Sequence, residues 1–127
     1  MLASLVLGLA LNAPRVLDPN TAYDPKIPTI KQVLGYDHGD EITSPENVAV
    51  YLKALSAAAP ERTRLVEYAR SWEGRPLWIL VVGSADRMAK LDSIKGGLRK
   101  LADPRVTTPA EREELFRTLP VSVWLLH

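Results

Sequence analysis

The stretch Tyr68-Ala69-Arg70-Ser71-Trp72-Glu73-Gly74-Arg75-Pro76-Leu77-Trp78-Ile79-Leu80-Val81-Val82 contains two strands and the turn between them. In the first, Val66, Tyr68 and Trp72 share one face, the alternation expected of a half-buried strand. Residues 71–76 make the turn, where Gly74 is free to take a positive φ. Glu73 and Arg75 flank it and are expected to hold it by a salt link, in preference to any catalytic role. Residues 77–82 are continuously apolar, which suits a strand covered on both faces, and Gly83 and Ser84 close it.

Working towards the amino terminus, Pro60 separates this hairpin from a helix. Ser44 is a suitable N-cap, Pro45 fits the first helical position, and Glu46 complements the helix dipole. Val48, Tyr51, Leu52 and Leu55 then recur on one face at helical spacing. Residues 14–44 have a different character. Pro14, Pro19, Pro25, Pro28, Gly35 and Gly39 interrupt helix and strand alike, so this is read as an extended strap packed on a larger body. A flexible linker left after signal cleavage is the alternative. Residues 1–13 are read as a signal peptide, because 2–11 (LASLVLGLAL) is apolar, uncharged and too short to span a bilayer. No Lys or Arg precedes the run, so the other readings are a start further upstream or a buried hydrophobic arm.

Towards the carboxyl terminus, Met88, Leu91, Ile94, Leu98 and Leu101 form an apolar stripe, with Gly96-Gly97 expected to break or bend its helix. Thr108-Pro109-Ala110-Glu111 is a capping box with proline at the first helical position, predicting a helix to about Leu119. Residues 121–126 (VSVWLL) read as another buried strand, with His127 at its end. The order helix, strand, strand, helix, helix, strand predicts an α/β fold with a mixed sheet. At 127 residues and 46% hydrophobic the chain is long enough for one ordinary core. Its formal charge of +1 gives no reason to expect nucleic acid or an anionic membrane as partner. With no cysteine, disulfides, a thiolate nucleophile and cysteine-bound zinc are all excluded.

The turn Arg70-Ser71-Trp72-Glu73-Gly74-Arg75-Pro76-Leu77 and its apolar strand resemble the opening hairpin of the zinc carboxypeptidases of the A/B type. Upstream, Gly35-Tyr36 and Thr43-Ser44-Pro45 before a helix are similar to the first helix of bacterial members. Downstream, residues 119–127 (LPVSVWLLH) are similar to the strand that leads into the metal-binding H-x-x-E. The resemblance covers roughly residues 23–127, about the first third of such a catalytic domain. Ala69 departs from it where many members have glycine, and the helical segment from about Asp86 to Leu119 is absent from the animal digestive enzymes. The implied fold is the opening part of an α/β/α sandwich, with residues 45–127 as the amino-terminal part of the catalytic domain.

What the resemblance implies is a secreted or periplasmic hydrolase that shortens peptides or proteins from their C-termini. Such enzymes hold one zinc through two histidines and a glutamate, leaving a position for an activated water. A further glutamate serves as general base, and arginines grip the terminal carboxylate. In the family all of these residues follow the leading strand, so no catalytic, metal-binding or substrate-binding residue is assigned here, and the zinc ligands are expected beyond His127. His127 itself is read as a residue on the approach to the site, with a shifted register making it the first ligand as the alternative. An apolar run ending in VWLLH leaves an unpaired strand edge, so the sequence is expected to continue past it and this chain alone to be inactive.

Other chemistry finds less support in the residues. His38, among Asp37, Asp40 and Glu41, is read as part of a solvated loop rather than a surface metal site. Ser84 lacks the G-x-S-x-G elbow that nucleophilic catalysis would use. Residues 95–100 (KGGLRK) carry no Walker pattern, so a solvated helix face is read there instead of an anion site. Trp72, Trp78 and Trp124 are read as core residues. Two further functional readings stay open: a non-catalytic interaction module that keeps the opening elements of this fold, and a zinc-dependent deacylase or amidase on the same scaffold.

Overall fold

Helix and strand signals in this sequence are local and strong, and most of them are realised within a residue or two. The computed structural model of the chain describes Asp18 and residues 20–125. The elements in chain order are α1 (Ile30–Leu34), α2 (Pro45–Ala58), β1 (Thr63–Arg70), β2 (Pro76–Val82), α3 (Ala85–Ala89), α4 (Leu91–Ala102) and α5 (Pro109–Thr118). The signal-peptide reading of residues 1–13 falls outside the described residues. The chain divides into two units, Met1–Val82 and Gly83–His127.

In the first unit, Ser44 caps α2 as its side chain accepts the Asn47 N–H at 3.2 Å, with Pro45 at the first helical position. The helix stops at Ala58, two residues before Pro60. Thr63 is buried beneath this end, its hydroxyl donating to the Ala59 carbonyl at 2.7 Å. That bond ties the end of α2 to the first residue of β1. The two strands pair antiparallel from Thr63↔Val82 to Arg70↔Pro76, with a bulge between Glu67 and Ala69. α2 packs against both strands.

Residues 14–44 were expected to be extended throughout, and the described part is not. Thr29 and Gln32 form a capping box and Gly35, at φ 88°, ends the helix α1 between them. Pro28 and Gly35 bracket a proline-free stretch long enough for one turn and a half, which is why the helix fits there. α1 packs against α2. Tyr51 of α2 donates its hydroxyl to the Pro28 carbonyl at 3.1 Å, anchoring the segment.

In the second unit, the stripe from Met88 to Leu101 is interrupted, but at Lys90 and not at the glycine pair. α4 runs straight through Gly96 and Gly97, because α5 packs against it there. A Cβ on Gly97 would meet Leu119 Cδ2 at 2.8 Å and Leu115 Cδ2 at 3.3 Å, so the bare backbone is the packing surface. α5 begins with the expected box: Thr108 accepts the Glu111 N–H at 3.2 Å and Glu111 accepts the Thr108 N–H at 2.9 Å. Thr107, buried just before it, donates its hydroxyl to the Lys100 carbonyl, which joins the end of α4 to the start of α5.

The fold is α/β, and its sheet among the described residues is the antiparallel pair β1–β2. The predicted strand at the C-terminal end is not formed over residues 121–125, which have no regular structure. A strand needs a neighbour for its backbone groups, and this one has none among the described residues. Its side chains are correspondingly open, with Val121 94% and Leu125 90% exposed. Among the described residues, Ala59 and Met88 are the buried hydrophobic side chains. β2 reads as a strand for two covered faces, and α2 supplies a cover for one.

Candidate functional site

The sequence marks the β1–β2 turn most strongly, and its geometry is that of a rigid scaffold corner. Ser71 N–H donates to the Arg75 carbonyl at 2.8 Å and Gly74 N–H to the Ser71 carbonyl at 2.9 Å, with Gly74 at φ 77°. A side chain at that φ would be strained, so glycine is required by the turn itself. The Ser71 hydroxyl oxygen accepts the Arg75 N–H, and the Arg70 guanidinium donates to the Gly74 carbonyl at 3.1 Å. The expected salt link is present, Arg75 Nη2 to Glu73 Oε2 at 3.1 Å, with both side chains more than half exposed. Arg70 is paired instead with Glu67 at 2.8 Å. These carboxylates and guanidiniums face water and hold the loop.

The electrostatics reach from this turn to the start of α2. The Glu46 carboxyl is held below the usual range, first by its own backbone N–H, next by Ser44, and to a smaller extent by the charge of Arg75. On the helix itself Lys53 stands over Trp78 of β2, its ammonium 5.1 Å from the ring centroid. The Trp78 indole N–H is buried without an acceptor among the described residues.

His38 lies in the loop between α1 and α2, with Nδ1 3.0 Å from Asp37 Oδ1. That carboxylate is buried, which the sequence does not signal, and it also accepts the His38 N–H at 2.9 Å, while Asp40 Oδ2 accepts the Asp37 N–H. The acidic groups thus fold the loop on itself. No group of three His, Cys, Asp or Glu side chains suited to a metal ion exists among the described residues. The described residues therefore do not fit a zinc centre. His127, the other residue considered as a ligand, lies outside the described residues.

The remaining candidates resolve into structural roles. Ser84 stands at the N-cap position of α3 without accepting a side-chain cap bond. Residues 95–100 are wholly inside α4, so their amide groups serve the helix and cannot cradle an anion. Of the three tryptophans, Trp78 is partly buried, whereas Trp72 is fully exposed at the turn and Trp124 is 70% exposed. The reading of Trp72 and Trp124 as core residues is thus corrected. β1 ends at Arg70 and bulges at Tyr68, so the alternation that placed Trp72 on the covered face does not extend to it.

The described residues thus form a helix laid on an antiparallel hairpin, followed along the chain by further helices, a mixed α/β arrangement. Residues 48–110, about half of the chain, match the family model described as zinc carboxypeptidase. The matched segment starts within α2, takes in β1, β2, α3 and α4, and ends at the beginning of α5. No curated protein and no solved structure matches the chain significantly. The family is one of metallopeptidases, hydrolases that act on peptides with zinc. No helix among the described residues is long and apolar enough to cross a membrane.

Proposed function

We propose that this chain supplies the amino-terminal scaffold of a secreted zinc metallocarboxypeptidase that removes residues from the C-termini of peptides or proteins. The observation that carries the reading is the match of residues 48–110 to the zinc carboxypeptidase family, a segment that contains the whole of the β1–β2 hairpin. The role of that segment is positional. The Thr63–Ala59 and Tyr51–Pro28 hydrogen bonds fix helix, hairpin and preceding segment as one frame. The zinc and the residues that bind it and the substrate belong, on this reading, to polypeptide beyond His127. Export rests on the apolar run at residues 2–11.

The test uses the complete open reading frame in which this sequence lies. Its product is purified without chelator, its zinc is measured by atomic absorption, and release of free C-terminal amino acid from a peptide series is followed by mass spectrometry. About one zinc per chain, with residues lost one at a time from the C-terminus, is the expected result. A zinc-free product that leaves every peptide intact overturns the proposal and favours an interaction module. Hydrolysis of acylated amides with peptides untouched would instead place the protein among deacylases on this scaffold. The location is read separately, from the amino-terminal sequence of the protein recovered outside the cytoplasm.

A further inference from the structure

We draw no further inference here: the strongest candidate, the open apolar surface of the β1–β2 hairpin with Trp72 exposed at its turn and Val66 and Tyr68 on its first strand, carries nothing because nothing in the structure shows what covers it.

Discussion

Leu119 sits directly on the backbone of Gly97, close enough that a single added carbon at Gly97 would lie 2.8 Å from its Cδ2. Among the described residues, nothing beyond its chain neighbours and its own helix backbone lies within 4 Å of the same position on the preceding Gly96. The two glycines of α4 therefore offer a controlled pair. Alanine favours a helix interior over glycine by about 1 kcal/mol, and that gain is open to both sites. Gly96→Ala is expected to realise most of it, raising stability by about 0.5–1 kcal/mol. Gly97→Ala must displace Leu119 and Leu115, an overpacking cost of about 1–3 kcal/mol that cancels or exceeds the gain. Urea denaturation of the two variants beside the parent measures the difference. Equal stabilisation by both would mean that α5 does not pack where the structure places it.

The capping box at Thr108 makes a prediction about acid. Glu111 is held below the usual carboxylate range, chiefly by the backbone N–H of Thr108 and then by its hydroxyl, with Lys100 adding a little. Its folded pKa is depressed, so its contribution is present above the unfolded value and is lost as pH falls through the folded one. For a glutamate this window opens at about pH 4.3 and extends downward. Glu46 at the start of α2 acts in the same sense. Denaturation midpoints measured between pH 7 and 3 should fall across that window, and Glu111→Gln should flatten part of the slope by lowering stability at neutral pH more than at pH 3. Thr108→Ala removes the reciprocal partner and is expected to cost about 1 kcal/mol at neutral pH.

Tyr51 reports on the opposite end of the pH scale. Burial pushes its phenol above the usual value, and its hydroxyl donates to the Pro28 carbonyl. The folded pKa is raised, so this group's contribution holds below the unfolded value near 10 and is lost as pH rises towards the folded one. Of the four tyrosines in the chain, one should ionise late in a titration followed by absorbance near the phenolate band. Tyr51→Phe should abolish that late component and lower stability at neutral pH by about 1 kcal/mol, the net worth of one hydrogen bond. If every tyrosine ionised together in the parent, the anchoring of residues 28–34 to α2 would be refuted.

The elements that the sequence announces are those whose instructions lie within a few residues. Ser44-Pro45, Gly74 and the Thr108–Glu111 box each act through backbone groups three or four positions away, and each is found where its chemistry requires. α1 had the same kind of signal in Thr29 and Gln32, hidden among prolines that argue against regular structure. The misreadings share a different cause. Whether Gly96-Gly97 breaks a helix depends on Leu115 and Leu119, about twenty residues away, and whether 121–125 forms a strand depends on a partner for its edge. Long-range packing of this kind leaves no local mark. The candidate site follows the same rule: the turn residues were legible because they bond to one another, and the burial of Asp37 beside His38 was not. The family resemblance was legible because the hairpin motif that carries it lies inside the matched segment.

Trp72 and Trp78 give a direct reading of the hairpin. Trp72 has its whole surface in water at the turn, while Trp78 of β2 lies partly buried under Lys53. Replacing an exposed side chain that makes no contact changes stability by no more than about 0.5 kcal/mol, so Trp72→Ser should be nearly silent in denaturation. Trp78→Ala removes a large ring from the surface that α2 covers and is expected to cost about 2–4 kcal/mol, less than a fully buried tryptophan at the same kind of site. Fluorescence separates the two without relying on stability: the Trp72 component should emit at longer wavelength and be readily quenched by acrylamide, and it should disappear in Trp72→Ser. In the complete protein the same substitution becomes a probe of what lies over the turn. A loss of more than about 1 kcal/mol there would show that other residues cover Trp72, because a side chain surrounded by water has no such contact to lose.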